Sequence, residues 1–271
     1  MCLILFANEA NSRYQLVLAA NRDEAYSRPT APAAFWEEAP EVLAGKDLKS
    51  GGSWMGVTRS GKVAAVTNFR GPGKVWESAP SRGNLVSNFL MNGDSPDVFL
   101  DTLRTGARNY NGFNLLVGNT EGLWWYSNRH DEQSQKIIPG IHGLSNHLLD
   151  TPWPKVERGK RALEHLMVSE KEIIPEQVFP ILEDRSPAAD EELPDTGVGL
   201  ELERVLSASF IRTQYYGTRS STVLLIEHTG SVTFVERSFN PEDESQKEVR
   251  CEFHLEQQEA PLRGAASSNL L

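Results

Sequence analysis

The chain has 271 residues, with 27 Lys and Arg against 37 Asp and Glu, which gives a formal net charge of −10. A chain of this length can bury a large core without disulfides or metals, and an acidic balance without a basic run argues against nucleic acid or anionic membranes as partners. No apolar stretch near the start is long enough for a signal-peptide core or a membrane span, so we expect a soluble, cytoplasmic protein.

Short apolar runs bounded by turn-forming residues predict strands that come in pairs. The first pair, at 2–7 and 14–20, is joined by a turn at 8–13. Further strands are predicted at 53–58 with 62–68, at 112–118 with 122–127, at 220–227 with 231–239, and at 248–256 as an edge strand.

Helical spacing of apolar residues falls between the strand pairs. Helices are predicted at 82–92, 95–107, 155–168, 175–184 and 200–211. The segments 25–50, 70–80 and 184–199 are interpreted as loops that would shape a binding site.

Strand pairs that alternate with helix pairs, rather than single β-α-β units, predict antiparallel sheets with helical layers outside them. We therefore expect an α+β fold built as a four-layer αββα sandwich. Residues 1–256 are predicted to form a single domain, and residues 257–271 a C-terminal tail.

Cys2 is the first candidate for chemistry because it directly follows the initiator methionine. A small residue at this position normally permits removal of Met1, which would leave Cys2 with a free α-amine. The unperturbed pKa is about 7.7–8.0 for such an amine and about 8.5 for the thiol, so the amine can act as base for its own side chain. The alternative is a small buried hydrophobe that begins a strand.

The polar run at 21–24, with sequence NRDE, is predicted to start beside Cys2. A turn at 8–13 pairs each residue i of the first strand with a residue near 22 − i of the second strand. Cys2 is therefore expected to lie across from Ala20. A guanidinium from this run could lower the thiol pKa, and a carboxylate could orient the amine. An ordinary charged turn is the alternative interpretation.

Asn68 ends the second predicted strand pair near Ser53, just before a glycine-rich segment. Its side-chain amide is a candidate oxyanion donor, and one such donor can stabilise a transition state by about 2.7–4 kcal/mol. The alternative is a turn former at a strand end. The glycine pair at 51–52 either lets a substrate approach the backbone or turns the chain.

Six segments carry a resemblance that covers residues 1–240. They are MCLILF at the start, AANRDE at 19–24, AGKDLKSGGSWMGV at 44–57, AAVTNFR at 64–70, GLSNHLLDTPWPK at 143–155 and YGTRSSTVLLI at 216–226. In this order they resemble the NRDE family, which includes the transport and Golgi organisation 2 proteins. That family in turn resembles the cysteine branch of the N-terminal nucleophile hydrolases, with its bile-salt hydrolases and penicillin V acylases.

This resemblance implies an αββα fold and attack on a linear amide bond. The positions of this chain that match the branch are Cys2 for the nucleophile, Arg22 for an arginine past the second strand, Asn68 for an asparagine of a similar segment, Asn146 for an asparagine that contacts substrate or oxyanion, Asp23 or Glu24 for a carboxylate, and Arg219 for a further arginine. The match of Arg219 is the weakest, and a surface arginine at a strand start is its alternative.

Other motifs predict no metal and no cofactor. His130, His142 and His147 match no zinc-binding spacing. The segment 71–74 lacks the upstream glycine and the following hydroxyl residue of a phosphate-binding loop, and Ser145 lacks the last glycine of a nucleophile elbow.

The sequence therefore predicts a hydrolase-like protein that cleaves a linear C–N amide through Cys2, with a small-molecule amide as its substrate. The alternative, implied by the family's connection with haem handling and lipid metabolism, is a non-catalytic carrier that binds haem, lipid or another amphipathic ligand. A scaffold for secretory traffic ranks third because only the family name suggests it. No feature of the sequence predicts an oligomeric state, and Cys251 is interpreted as a structural residue of an edge strand.

Overall fold

The computed structural model describes residues 2–72, 75–130, 133–243 and 245–256. Its strands, in chain order, are β1 (Cys2–Asn8), β2 (Tyr14–Ala25), β3 (Thr30–Trp36), β4 (Ala39–Asp47), β5 (Met55–Thr58), β6 (Val63–Asn68), β7 (Phe113–Asn119), β8 (Gly122–Ser127), β9 (Gln135–Lys136), β10 (Gly140–Leu144), β11 (Tyr216–Glu227), β12 (Ser231–Phe239) and β13 (Gln246–His254). The α-helices are α1 (Gly83–Met91), α2 (Pro96–Arg104), α3 (Pro154–Ser169), α4 (Pro175–Leu182) and α5 (Leu200–Leu206).

The strands form two antiparallel sheets. The six-stranded sheet has the order β10-β1-β2-β11-β12-β13, and the seven-stranded sheet runs from β3 to β9 in chain order. Because β2 is a central strand of the first sheet, it pairs with β1 on one side and with β11 on the other.

Three apolar clusters separate four layers. The first lies between the sheets and joins side chains of β1, β2, β11 and β12 to side chains of β4 to β8. The second packs α3 and α4 on the other face of the six-stranded sheet, and the third packs α1 and α2 on the other face of the seven-stranded sheet. The predicted α+β, four-layer αββα sandwich is therefore confirmed.

The apolar run of β1 is explained by burial on both of its faces. Successive side chains of a strand point to opposite faces. Ile4 and Phe6 accordingly belong to the cluster between the sheets, whereas Leu3 and Leu5 pack under the helices. This alternation puts the side chains of even-numbered residues of β1, Cys2 included, on the face that meets the second sheet.

The interpretation of residues 25–50 as a loop was wrong, because most of this segment forms the hairpin of β3 and β4. Three prolines, Pro29, Pro32 and Pro40, hide the alternation of a strand in this segment. Pro32 is accommodated where the pairing register between Ala31 and Ala34 shifts, and β3 is an edge strand, which tolerates a residue without a backbone N–H.

The predicted register of the first hairpin was also wrong by two residues. Cys2 lies opposite Arg22, not Ala20. The cause is a longer connection: Asn8 ends β1 and pairs with Leu16, so residues 9–15 lie between the paired residues, and Glu9 N–H donates to the carbonyl of Gln15 at 2.8 Å. A shift of two keeps every side chain on its predicted face.

Helix positions were predicted more closely than helix ends. Ser95 and Pro96 occupy the N-cap and first position of α2 as expected. The helix predicted at 200–211 ends at Leu206, where the hydroxyl of Ser207 donates to the carbonyl of Arg204 at 2.6 Å. Residues 184–199 are irregular apart from one short turn of 3-10 helix, as predicted for a loop.

The outer strand β13 alternates regularly. Val249, Cys251 and Phe253 are half-buried against the cluster between the sheets, and the charged residues between them are exposed. The predicted tail at 257–271 lies outside the described residues. None of the helices in the described part of the chain combines the length and apolarity needed to cross a bilayer.

Candidate active site

A cleft of about 400 Å³ opens beside the first residue of β1. It is lined by residues of β1, β2, β4 and β6 together with the segment that precedes α1. Charged side chains of both signs dominate the lining, and Trp54, Val66 and Trp76 supply the larger apolar surfaces. The predicted residues Cys2, Asn68 and those at 22–24 all contribute to this cleft.

Cys2 is half-buried at the head of β1, on the face of the strand that meets the second sheet. Burial raises the pKa of its thiol, and the backbone N–H of Asp23 and the charge of Arg22 partly oppose that effect. The hydroxyl of Ser145 donates to the carbonyl of Cys2 at 3.0 Å, which fixes the strand end next to the thiol. A thiol in these surroundings needs a base before it can attack.

Arg22 presents its guanidinium to the cleft from the strand position opposite Cys2, with only 5% of the residue exposed. Its Nη1 donates to Thr30 Oγ1 at 3.0 Å, its Nη2 lies 3.9 Å from Asp47 Oδ2, and its guanidinium stacks 4.1 Å from the ring centre of Trp54. Burial lowers the pKa of Arg22, but an arginine begins so high that it stays charged.

Asp47 links Arg22 to the wall of the cleft. Its Oδ2 accepts a hydrogen bond from Arg28 Nε at 2.6 Å, and its Oδ1 accepts the backbone N–H groups of Lys49 and Ser50 at 3.0 and 3.2 Å. Arg28 Nε also lies 3.9 Å from Glu24 Oε2. The charges at this side of the cleft therefore form one connected network.

Asp23 points to the opposite face of β2 from Arg22, as alternation in a strand requires. Its Oδ1 accepts the hydroxyl of Thr218 at 2.7 Å, and the residue is 2% exposed. Burial raises the pKa of this carboxyl. Both residues that the sequence left open for the carboxylate border the cleft; the Asp23 carboxyl is turned to the helix side, and Glu24 Oε1 accepts the N–H of Ala25 at 2.9 Å.

The two predicted asparagines occupy different depths. Asn68 lines the cleft, whereas Asn146 is fully buried behind it. Asn146 Nδ2 donates to the carbonyl of Asn68 at 2.8 Å, and its own carbonyl accepts the N–H of Arg70 at 2.6 Å. Asn146 is therefore placed to hold Asn68 in position.

Arg219 lies outside the set of residues that line the cleft. Its Nη1 donates to the carbonyls of Ala25, Tyr26 and Arg28 at 3.0, 3.0 and 3.1 Å. These bonds fix the turn that follows β2, and with it the position of Arg28.

Arg82, which immediately precedes α1, is a cleft residue that the sequence did not single out. Its Nη1 donates to the carbonyl of Gly112 at 3.1 Å, and it forms no ion pair with a carboxylate of the described residues. The close approach of Gly52 to Gly83 brings it there, because a Cβ on Gly52 would lie 2.4 Å from the backbone carbon of Gly83. The glycine pair at 51–52 was the available signal for this contact.

Metal-ligating side chains are dispersed. In the described ranges, no three or more His, Cys, Asp or Glu residues are grouped so that they could hold a metal ion. The site thus offers a thiol, the three cleft arginines Arg22, Arg28 and Arg82, the cleft carboxylates and an asparagine amide as its reactive and polar groups.

Comparison with known proteins assigns the chain to a family. The family profile described as "Transport and Golgi organisation 2" matches residues 1–241. The chain belongs to the Transport and Golgi organisation 2 family. A human member, the Transport and Golgi organization protein 2 homolog, is 36% identical over 280 residues, which cover 94% of this chain and 100% of the human protein.

More distant members of the Transport and Golgi organisation 2 family match over most of their length. The Drosophila melanogaster protein is 28% identical, and the match covers 88% of this chain and 92% of the fly protein. The sequence-based assignment to this family is confirmed.

Two solved structures resemble the chain at low sequence identity. A Caenorhabditis elegans orthologue of N-acylethanolamine-hydrolyzing acid amidase is 10% identical with a TM-score of 0.45, and the match covers 83% of this chain and 92% of that one. A variant of conjugated bile acid hydrolase from Clostridium perfringens is 10% identical with a TM-score of 0.45, covering 97% of this chain and 100% of that one.

Proposed function

We propose that this protein is an N-terminal nucleophile hydrolase that cleaves a linear C–N amide bond with Cys2. The observation that carries the proposal is the position of Cys2 at the head of β1, opposite Arg22 and inside a cleft that Asn68 also lines. A nucleophile on the first strand of an αββα sandwich can use its own α-amine as base once residue 1 is removed.

The reaction would proceed through a thioester. Cys2 Sγ attacks the carbonyl carbon of the amide, and the thiol proton passes to the α-amine of Cys2. The C–N bond then breaks as that proton moves to the leaving nitrogen, which departs as an amine. Water attacks the thioester, releases the carboxylic acid and returns the proton to the sulfur.

The neighbouring side chains would divide the remaining tasks. Asn68 would donate its amide N–H to the oxyanion, and Asn146 would hold Asn68 through its carbonyl. Arg22 would favour the thiolate by its charge, fixed in place by Thr30 and Trp54. Arg219 would act at a distance by fixing the turn after β2.

The lining of the cleft favours a polar amide over haem or a lipid. A site for an apolar ligand buries most of that ligand against hydrophobic and aromatic side chains. Here charged residues of β2, β4 and the segment before α1 supply much of the wall. We therefore expect an amide with a polar or charged group next to the scissile bond.

The test uses Cys2→Ala with Cys251→Ala as its matched control, because Cys251 lies on β13 outside the residues lining the cleft. A panel of N-acyl amides with short, medium and long acyl chains is screened with the wild-type chain, whose intact mass is measured first. We expect loss of Met1, turnover of at least one amide, and loss of that turnover only in Cys2→Ala. Unchanged turnover in folded Cys2→Ala would contradict the mechanism, as would turnover by a chain that retains Met1.

If the whole panel is left intact, haem and lipid vesicles are titrated into the same preparation. Binding of either that is weakened by Arg22→Met would favour the carrier alternative over hydrolysis.

A further inference from the structure

Lys155 is a buried lysine that the proposed reaction does not use. It occupies the second position of α3 and is 1% exposed. Among the described residues its Nζ has no hydrogen-bond partner. A buried ammonium group without hydrogen bonds is costly, so a lysine is expected in such a place only where nearby charges or a function require it.

The groups that face this nitrogen come from several elements packed together. They are Asp23 of β2, Cys2 of β1, Glu203 of α5 and Arg70 of the segment after β6. Burial lowers the pKa of Lys155 to about 8, and attraction to Asp23 is the largest effect that opposes this lowering. Glu24 and Tyr216 are further titratable neighbours of Asp23.

Glu203 is already engaged by other partners. Its Oε2 lies 3.2 Å from Arg70 Nη2, and its Oε1 accepts the N–H and the hydroxyl of Thr196 at 2.9 and 2.5 Å. Asp23 is turned to the same helix layer, where Thr218 Oγ1 donates to its Oδ1. Of the two carboxylates, Asp23 exerts the stronger attraction on Lys155, so it is the one whose charge Lys155 is placed to balance.

The alternation of β2 separates two roles across one strand. Arg22 meets Cys2 on the cleft side, whereas Asp23 lies on the side covered by the helices, where α4 packs on β2 and α3 packs on the neighbouring β1. A charge on α3 can thus act on the reacting centre from behind the sheet without entering the cleft. Lys155 begins the helix that packs on β1 and β10, which places it at that position.

We propose that Lys155 is a positioning residue that keeps Asp23 ionised behind Cys2, so that Asp23 can hold the α-amine of Cys2 for the proton it takes from the thiol. This inference rests on the proposed hydrolase mechanism. It adds a helix residue to a site whose other members come from strands and loops.

The first test follows the Asp23 carboxyl carbon by NMR in the full chain labelled at aspartate, with Asp23→Asn used for assignment. In Lys155→Met we expect the titration midpoint of Asp23 to rise by about one pH unit or more, because an opposite charge has been removed. Lys160→Met is the matched control, since Lys160 lies on the same helix and binds Asp150 at 2.9 Å instead. An unchanged Asp23 midpoint in folded Lys155→Met would overturn the proposal.

A second measurement, made in the opposite direction, tests the same coupling if Lys155→Met does not fold. Coupling between two sites must appear at both of them. In Asp23→Asn the titration midpoint of Lys155, followed at its Cε resonance, should therefore fall below its value of about 8. If that midpoint stays where it is, Lys155 does not act on Asp23.

Kinetics connects the pair to the thiol. If Lys155 acts through Asp23, Lys155→Met changes the rate of Cys2 alkylation by iodoacetamide in the otherwise native chain, and the double variant matches Asp23→Asn alone. Additive effects would overturn the proposal. Failure of the hydrolase mechanism is a separate result, because the midpoints of Asp23 and Lys155 can respond as expected in a protein that cleaves no amide.

Discussion

The two faces of β2 carry charges under opposite conditions. On the cleft face, Arg28 donates a hydrogen bond to Asp47, while Arg22 donates to Thr30 and lies 3.9 Å from Asp47; all three charged residues line the cleft. On the helix face, the described residues leave buried polar atoms of Lys155 and Arg70 without hydrogen bonds.

This difference indicates that the buried charges on the helix face, rather than those of the cleft face, reduce the free energy of unfolding. On the cleft face the partly exposed pair of Arg28 and Asp47 is screened by solvent, and a pair of this kind contributes little to the free energy of folding. Charges on the helix face are removed from water, so each depends on the others. A chain selected for stability alone would fill such a space with apolar side chains, and retention of charges there is consistent with a role in the neighbouring site.

The largest effect is expected from breaking the helix-face group. Arg70→Met leaves the Glu203 carboxylate buried without its cation, which lies 3.2 Å away in the native protein. We expect a loss of about 3–5 kcal/mol in the free energy of unfolding, measured with urea. The double change Arg70→Met with Glu203→Gln should restore most of it, and a double variant as unstable as the single one would show that packing of Arg70 on Trp153 matters more.

Glu236 gives a second test of the difference between buried and exposed charges, because it lies between the sheets, near Arg22 but away from solvent. It is 1% exposed, its Oε1 accepts the N–H of Ala33 at 2.7 Å, and burial raises its pKa to about 7. Because this pKa is above the unfolded value of about 4.3, the protonated form stabilises the fold at low pH. That contribution of about 3 kcal/mol is complete below about pH 4.3 and is lost as the pH rises through about 7.

Glu236→Gln should remove this dependence and keep the acceptor for Ala33. Urea unfolding at about pH 5 and about pH 8 is compared with the wild type and with Glu121→Gln, an exposed control. If the difference in free energy of unfolding between the wild type and Glu236→Gln is the same at both pH values, the Glu236 carboxyl is not buried as described.

The smallest effect is expected on the cleft face. Arg28→Met removes the 2.6 Å bond to Asp47 Oδ2, but the lost pair is partly exposed and Arg22 remains nearby. We expect a change of at most about 1 kcal/mol in the free energy of unfolding. A loss as large as that of Arg70→Met would erase the distinction between the two faces.

The order of layers could be predicted from the sequence because the strand pairs and helix pairs alternate along the chain. The β3–β4 hairpin could not, since its prolines and charges resemble a loop until β3 is seen to be an edge strand. The run at 21–24 shows a related limit. Four polar residues indicated the end of a strand, yet they continue a central one, in which Asn21 donates to the buried carbonyls of Leu182 and Ser209 and Asp23 accepts from the buried Thr218.

The residues of the candidate site that lie on strands could be located from the sequence. The pairing of β1 with β2 brings Cys2 to Arg22, and Asn68 of β6 meets them because the two sheets pack face to face. Lys155 carries no such signal, because a lysine at a helix start normally faces water and only the packing of α3 reveals its burial. Arg82 is similar, since its place depends on the contact between two glycines distant in sequence.

The alternation along β13 has a consequence for the protein in concentrated solution. A strand at the border of a sheet offers unpaired backbone groups to any passing strand, including one from another copy of the same chain. Along β13, Glu248, Arg250 and Glu252 are exposed at every second position. A second molecule that extended the sheet there would place its own strand against these charges and their hydration, so the charged side chains disfavour aggregation at this border.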